Sequence, residues 1–539
     1  MDNGQEEVDT TFDFDFDNIC DINSPIALPT TIHTGLTPDD IQACTSVLNA
    51  VKAIPILNQP IYLRTNPVNQ RSLLDLPIIQ LYGDGALRIE FFYNQTYKHH
   101  LAAEQTALSS YLNLTGTQLL QKLNDSKKAA EDFLKKKFDF DIRSFLPLIS
   151  NAFIEDRRTG LMFYGMKCFD GFNMRFQIPL YYFERNLNLT PGDRAQLENA
   201  QIPGVTAEDP TATGSSIALT TNAMDFARKH LIADELGFGD TRLQFDYNIV
   251  DTGLALCVTG LTLTIPTAIP FKSGLYGSSF TKERIVPDFN ICQLITLATM
   301  EATETKVQQA EDVQTVADIV SEFGLAALDS FAANILQTPL GNGGHVGIGG
   351  FFEADFIFEP SRFFTQSGWS LRGWAEKQLS ALESRFYRPI LDTKLFNNRD
   401  FENPDQAEEN MNLVNQRILD QLFPYVFCTE VDPGFITRVT IFNFYVWRCS
   451  WNFAWGYDFW YQSGEKLSHI DNPTQIPIDG CAALRPEALD GKLFVSIRYL
   501  KECGCYDIIA YLAGDASVVD QRFSVGDSYT ARIGVEFVF

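Results

Sequence analysis

Residues 529–539, YTARIGVEFVF, decide the fold because two kinds of side chain alternate strictly along them. This alternation places successive side chains on opposite faces of a β-strand. The polar or small face includes Arg532, Gly534 and Glu536, and the apolar face consists of Tyr529, Ala531, Ile533, Val535, Phe537 and Phe539. In a soluble sheet an edge strand ending on bare aromatic side chains invites aggregation. A closed barrel in a membrane pairs that edge and gives the apolar face to lipid, so the stretch predicts a barrel strand.

A terminal strand of about ten alternating residues that ends in Phe resembles the closing strand of bacterial outer-membrane β-barrel proteins. The resemblance implies an all-β membrane protein whose antiparallel strands form an up-and-down transmembrane barrel. It also implies a location in the bacterial outer membrane and two partners, namely outer-membrane lipid and the barrel-assembly machinery that reads the last strand. We expect a monomer.

Composition supports this class of protein. The chain of 539 residues has a formal net charge of −26, which argues against nucleic acid as a partner because no basic excess is available to neutralise phosphate. Aromatic residues make up 13 %, a share that suits a protein facing lipid. Residues 1–11 lack the basic start and apolar core of a secretory signal peptide. On the barrel hypothesis the sequence is therefore the mature form.

Strand-like segments separated by turn residues predict the number of barrel strands. Asp84-Gly85 and Asp170-Gly171 are hairpin turn signals. The predicted strands are residues 56–65, 76–83, 86–98, 158–169, 172–185, 241–250, 254–265, 346–358, 362–374, two within 435–461, 493–500, 506–513 and 529–539. A chain whose strands begin and end on the same side needs an even number. We predict fourteen strands, with twelve as the alternative if the two weakest segments are omitted.

The remaining segments are expected to lie outside the barrel wall or within its lumen. Residues 1–55 are an acidic leader or a lumen plug, and residues 56–539 form the barrel. Four long inserts with helical patterns, predicted to be extracellular, lie near residues 99–156, 186–239, 266–343 and 375–432. Within them the sequence predicts helices at residues 222–234, 290–336 and 406–422.

Alternation along each strand also predicts which side chains face the lumen and which face lipid. With the aromatic-rich face outward, the predicted pore-lining residues are Arg88, Glu90, Arg175, Arg242, Asp246, Glu353, Asp355, Arg448, Asp458, Arg498, Arg532 and Glu536. The predicted lipid-facing residues are Phe453, Trp455, Tyr457, Ile533, Val535, Phe537 and Phe539. Charges of both signs on the lumen wall can form cross-strand pairs and set a field across a pore, or can simply keep the interior polar and stable.

Signals for an enzyme are weak, so we expect no catalytic residues, no cofactor and no metal. No HExxH or GxSxG motif occurs, and the ten cysteines show no metal-binding spacing, although their even number permits disulfides in an exported protein. Glu353 and Asp355 could act as a general acid and base, but two carboxylates on one strand face equally suit a polar lumen. The glycine-rich residues 341–350 lack the Lys-Ser/Thr of a phosphate-binding loop and are interpreted as a loop feeding a strand.

These features favour a channel or transporter for small solutes. Fourteen strands resemble the fatty-acid-transporter type of barrel, which implies a hydrophobic solute and an N-terminal plug. Two alternatives stay open. One is a surface-structural or adhesive barrel that binds a partner through its inserts, and the other is a soluble all-β binding protein such as a sandwich.

Overall fold

The structure is a computed structural model that describes residues 84–97, 153–188, 228–280, 284, 286, 326–358, 360–390, 404–518 and 526–539, save residues 253, 328, 361, 362, 449, 474 and 505. The predicted plug, residues 1–55, and the two weakest predicted strands, residues 56–65 and 76–83, lie outside these ranges. Residues 222–227 and 290–325 of two predicted helices also lie outside them. Residues 228–230 and 329–335 are helical, but residues 232–234 begin a strand, Ile232–Phe238, so the predicted helix at residues 222–234 is wrong at its C-terminal end.

The described residues are mostly strand. In chain order the strands are β1 Gly85–Tyr97, β2 Phe153–Phe169, β3 Phe172–Asn188, β4 Ile232–Phe238, β5 Thr241–Thr252, β6 Ala255–Ile265, β7 Ile269–Ser273, β8 Gly347–Phe358, β9 Gln366–Gln378, β10 Ala381–Pro389, β11 Tyr425–Asp432, β12 Phe435–Trp447, β13 Trp451–Gln462, β14 Lys466–Ile470, β15 Ile478–Asp479, β16 Ala488–Glu502, β17 Asp507–Ser517 and β18 Asp527–Val538. A long helix, α1, covers Pro404–Leu422, where the sequence predicts one.

Twelve antiparallel strands form a closed ring, in the order β1, β2, β3, β5, β6, β8, β9, β12, β13, β16, β17 and β18. The ring closes because β18 pairs with β1 along its whole length, from Val538 opposite Ala86 to Asp527 opposite Tyr97. The other edge of β1 pairs with β2. The ring therefore has the smaller of the two predicted strand numbers, and the count of fourteen is not confirmed.

The two ends of the barrel differ in how strands connect. At one end, here called the turn end, neighbouring strands join through short connections at residues 170–171, 253–254, 448–450 and 503–506. The long connections lie at the opposite end, here called the insert end. This arrangement is the one typical of up-and-down barrels.

Additional strands extend the wall beyond the insert end. β4 pairs with the part of β3 nearest the insert end, and β7 pairs with the other edge of β4. β14, β11, β10 and β15 form a separate four-stranded sheet, whose core includes Phe386, Tyr387 and Phe427. The inserts near residues 186–239, 266–343 and 375–432 thus contain strands as well as helix. β11 is largely buried on both faces, so it lacks the alternation by which strands are recognised.

No helix within the described ranges is long and apolar enough to cross a membrane.

Candidate functional site in the barrel interior

Burial alternates along the barrel strands and shows which side chains point inward. In β18 every second residue is exposed and the residues between are buried. Ile533, for example, is 58 % exposed, whereas its neighbour Arg532 is 4 % exposed. The ring therefore separates an apolar outer face from a polar interior.

Eleven of the twelve residues predicted to line the pore are buried on the inward face of a barrel strand, namely Arg88, Glu90, Arg175, Arg242, Asp246, Glu353, Asp355, Asp458, Arg498, Arg532 and Glu536. Arg448 is the exception, and its predicted place on the inner wall is corrected. It lies in the turn after β12 with a φ of 52°, is exposed, and stacks its guanidinium 4.5 Å from the ring centre of Trp447. The alternation was extended through a turn, where it does not apply.

The residues predicted to face lipid lie on the outer face of β13 and at the C-terminal end of the chain. Trp455 is 53 % exposed, and Phe453 and Tyr457 are half-buried between exposed and buried neighbours of the same strand. The others are exposed at 37–58 %, namely Ile533, Val535, Phe537 and Phe539. Contact of these side chains with lipid remains part of the proposal below.

Arg175 is the centre of one charged network inside the barrel. Its Nε lies 2.7 Å from Asp246 Oδ2 on the adjacent strand β5, and its Nη1 lies 2.9 Å from Glu353 Oε1 on β8. Glu353 is also 4.0 Å from Arg372 on β9, which in turn is 3.9 Å from Asp355. The network therefore joins four strands of the ring.

Arg242 makes a second bridge between strands that are not neighbours. Its Nη2 lies 2.9 Å from Glu376 Oε2, and Thr264 donates a hydrogen bond to the same oxygen. Arg242 lies on β5 and Glu376 on β9, and two strands, β6 and β8, lie between them in the ring. The bridge from Arg175 on β3 to Glu353 on β8 likewise passes over two strands, β5 and β6. Because the wall is curved, a side-chain bridge over two intervening strands runs as a chord through the interior. Both arginines therefore occupy space inside the ring.

Further charge pairs cover the opposite wall. Arg532 lies 3.8 Å from Glu90 and 3.4 Å from Asp515, and Lys492 lies 3.4 Å from Asp515 and 3.7 Å from Asp490. These contacts link β1, β16, β17 and β18. Such pairing is what buried charges require, because an unpaired ion is costly to remove from water.

Two bidentate pairs complete the set. Arg438 places Nε and Nη2 each 2.6 Å from an oxygen of Asp458, and Arg185 holds Asp156 in the same way at 2.7 and 2.9 Å. The second pair lies near the insert end, where Arg158 approaches Asp156 to 3.6 Å. Bidentate geometry fixes the orientation of both partners as well as their distance.

The sequence interpretation missed nine inward charged residues, namely Asp156, Arg158, Arg185, Arg372, Glu376, Arg438, Asp490, Lys492 and Asp515. Together with the eleven above they make ten buried bases and ten buried acids on the inner wall of the described strands, so the formal charges of this set balance. Several lie just beyond the predicted strand ends, where polar residues had been assigned to loops. The same alternation, continued along longer strands, would have found them.

The interior also contains an aromatic group near the insert end. Phe351, Trp374 and Trp460 belong to one buried apolar cluster on β8, β9 and β13. The guanidinium of Arg242 lies 4.3 Å from the ring centre of Trp374. The indole nitrogens of Trp374 and Trp460 are buried and make no hydrogen bond to another residue that the structure describes. This group therefore combines apolar surface with two N–H donors.

A glycine-rich loop, residues 341–346, leads into β8 and contacts β10 of the four-stranded sheet. His345 is fully buried, with Nδ1 2.8 Å from the carbonyl oxygen of Leu379 and Nε2 2.8 Å from Glu383 Oε1. Both ring nitrogens thus face acceptors, an arrangement that the doubly protonated ring satisfies. Asn342 donates its backbone N–H to Asp240 Oδ2 at 2.7 Å. Burial raises the pKa of Asp240 to about 6, although that hydrogen bond acts in the opposite direction.

Comparison with solved structures finds bacterial outer-membrane channels at low similarity. No family model and no curated protein matches the sequence. An outer-membrane channel from Pseudomonas putida F1 matches at 8 % identity and a TM-score of 0.36, covering 86 % of this chain and 97 % of that one. The toluene transporter TbuX of Ralstonia pickettii matches at 7 % and 0.29, covering 90 % and 98 %.

A FadL homologue of Pseudomonas aeruginosa matches at 9 % identity and a TM-score of 0.25, covering 85 % of this chain and 90 % of that one. At these identities and scores the comparison carries no argument about solute or mechanism. In fold, the chain resembles bacterial outer-membrane β-barrel channels.

Proposed function

We propose that the protein is an outer-membrane β-barrel that acts as a channel or transporter for small solutes. The observation that carries this proposal is a closed ring with exposed apolar side chains outside and balanced, buried charges inside. A soluble barrel would have the opposite arrangement, with polar residues outside. The rest of this proposal comprises contact with outer-membrane lipid, insertion by the barrel-assembly machinery, a monomeric state, extracellular inserts and a plug formed by residues 1–55.

The height of the apolar outer face supports membrane insertion. From Tyr529 to Phe539 the outward residues of β18 cover ten steps, about 33 Å at 3.3 Å per residue. A strand tilt of about 40° reduces this to about 25 Å, the height of the apolar band of outer-membrane barrels. Trp447 and Trp451 lie at the turn end, and at the insert end the rings of Tyr93 and Tyr529 contact each other in a tilted arrangement. Aromatic girdles of this kind mark the two interfaces of a bilayer.

Cysteine chemistry is consistent with export. Cys428, in the sheet beyond the insert end, is disulfide-bonded. Disulfides persist in oxidising compartments such as the bacterial envelope and surface. This supports placing that sheet outside the reducing cytosol.

The interior suggests how a solute would be handled. The bridges made by Arg175 and Arg242 narrow the lumen. Each guanidinium lies next to a carboxylate of another strand, Glu353 or Glu376. The aromatic group of Phe351, Trp374 and Trp460 supplies apolar contact next to N–H donors, which favours solutes with an apolar part. We therefore include hydrophobic small solutes in the proposal.

Conductance in planar bilayers tests the channel. Replacing Arg242 with Gln removes one interior charge and one bridge across the lumen, so we expect a larger single-channel conductance and a reversal potential shifted toward cation preference. Arg448→Gln makes the same charge change in the exposed turn and is the matched control. It should leave both quantities unchanged.

Other results would redirect the assignment. Equal shifts in the two variants would mean that Arg242 does not face the ion path. Stable insertion with no current in any form would favour the adhesive or structural barrel, for which the four-stranded sheet and α1 beyond the insert end offer a binding surface. If the wild-type chain did not insert into bilayers, the result would favour the alternative of a soluble all-β binding protein.

A further inference from the structure

A groove interrupts the apolar outer face of the barrel on β6, β8, β9 and β12. Its volume is about 350 Å³, which lies within the range of small-ligand sites. It is lined by the outward residues Thr259, Gly350, Phe352, Gly373, Ala375, Thr437 and Val439, together with Gly260, Phe351, Trp374 and Arg438 in the inward row between them. Inward residues of the rows above and below, such as Glu376 and Arg372, do not line it. The groove therefore opens on the outside of the ring.

Small residues form the floor of this groove, and large apolar residues form its rim. Gly350 and Ala375 lie opposite each other on β8 and β9. A side chain at Gly350 would meet nothing closer than the carbonyl oxygen of Gly260 at 3.4 Å. Leu261, next to Gly350 on β6, is 67 % exposed, and Ile348 is 52 % exposed. The depression thus has an apolar rim and is open to an acyl chain.

Two lysines stand above the groove on the side of the insert end. Lys377 follows Ala375 on the same face of β9, two residues or about 7 Å further along the strand. Its ammonium contacts Asp432, and its side chain stays 47 % exposed. Lys466 lies opposite Asp432 in the β11–β14 ladder and is also exposed. Two positive charges against one negative leave a net positive charge where a lipid headgroup would lie.

We propose that this groove binds one phosphorylated lipid of the leaflet at the insert end, with an acyl chain in the groove and phosphate groups at Lys377 and Lys466. The inference rests on the membrane-spanning barrel proposed above. Acyl chains pack against the apolar floor and rim, and the distance from Ala375 to Lys377 suits the step from chain to headgroup. Two lysines match two phosphates, so the probe is lipid A with both phosphates present.

Native mass spectrometry of the full chain in detergent measures the binding. We expect one saturable site for lipid A and binding of phosphatidylglycerol that is about tenfold weaker, since one charge-assisted contact is lost. Gly350→Leu fills the groove and should weaken lipid A binding about tenfold or more by steric exclusion. Gly514→Leu is the matched control, because it adds the same bulk to the outer face of β17, where the nearest atom lies 3.5 Å away.

The headgroup contact is tested separately by charge removal. Lys377→Gln and Lys466→Gln should each weaken lipid A binding about tenfold. Lys501→Gln, an exposed lysine at the turn end, should not change it. Wild-type affinity in Gly350→Leu, or equal losses in the tests and their controls, would overturn the site. Tighter binding of phosphatidylglycerol than of lipid A would overturn the choice of lipid.

Retention in alkaline-washed liposomes keeps the two proposals distinguishable. If the wild-type chain is not retained, the membrane-spanning barrel fails, and the lipid site fails with it. If every variant is retained but lipid A binding does not depend on Gly350 or the lysines, only the lipid site fails.

Discussion

Arg175 satisfies two carboxylates at once, Asp246 on the adjacent strand and Glu353 on a strand further round the ring. All three residues are buried. Loss of the guanidinium would leave Asp246 without this cation and Glu353 with only the more distant Arg372, 4.0 Å away. The penalty then comes from the uncompensated charges more than from the lost attraction.

We expect Arg175→Met to lower the free energy of unfolding by about 3–5 kcal/mol, the usual cost of breaking a buried ion pair. Arg157→Met is the control, because Arg157 is 44 % exposed on the outer face and pairs with Glu155 at 2.8 Å. Although Glu155 is buried, the Arg157 guanidinium is partly exposed to solvent, so its loss should cost only about 1 kcal/mol. Urea unfolding of the refolded barrel in detergent measures both values, and similar losses would contradict an occupied, charge-paired interior.

The buried carboxyl of Asp240 should make the stability of the region near the insert end depend on pH. Its pKa rises in the folded state from 3.8 to about 6 because the carboxyl is buried. The folded protein therefore holds this proton more tightly than the unfolded chain, so the contribution to stability is complete below pH 3.8. It is lost as the pH rises through 6, with a total of about 3 kcal/mol at 1.36 kcal/mol per pKa unit.

Asp240→Asn should flatten this dependence between pH 4 and 7, because the amide stays neutral and its oxygen can still accept the N–H of Asn342. Hydrogen exchange of residues 341–346, followed against pH in both proteins, measures the effect. An identical pH profile in the variant would show that another group titrates there.

At the scale of elements, the glycine-rich loop illustrates why local conformation matters. Gly343 and Gly344 have φ values of 84° and 88°, which a side chain makes strained. A Cβ on Gly343 would also collide with the carboxylate of Glu383, whereas one on Gly344 would meet nothing within 4 Å. The two positions share the backbone strain and differ only in the contact.

Gly344→Ala should therefore cost about 1–2 kcal/mol through backbone strain alone. Gly343→Ala should cost a further 1–3 kcal/mol, roughly the value of a hydrogen bond to a charged group, since it displaces Glu383 from His345. Thermal unfolding compares the two variants. Equal destabilisation would mean that the His345–Glu383 contact contributes nothing measurable.

The same scale shows what sequence can and cannot predict here. Alternation gave the face of Glu353 and Asp355 correctly, because period 2 is fixed by strand geometry. The predicted strands ended before they reached Glu376 and Asp490. A charged residue at the end of an apolar run is typical of a loop, and only the pairing with the neighbouring strand shows that the strand continues. Cross-ring partners such as Arg242 and Glu376 depend on ring order and side-chain reach, which no local pattern contains.

At the scale of the whole molecule, a bilayer around the apolar outer face would make the cost of an outward charge depend on its depth in that bilayer. Ile533 lies in the middle of β18, opposite Phe91 and Leu512, and Tyr529 lies on the same face near the insert end. In a bilayer, Ile533→Arg should cost roughly 2–4 kcal/mol and Tyr529→Arg about 0–1 kcal/mol. Unfolding in liposomes measures the difference. Equal costs at the two positions would argue that no bilayer surrounds the barrel.

The pairing of β1 with β18 also determines the order in which the fold can form. Asn94 and Thr530, which are hydrogen-bonded across this seam, are 436 residues apart in the chain. Such a ladder gives the topology a high contact order, and loop-closure entropy must be overcome before the ladder forms. The seam therefore cannot form until the final strand has been synthesised. Until then the free edges of β1 and β17 are open to pairing with other chains, so this interval of synthesis is when the protein is most prone to aggregate.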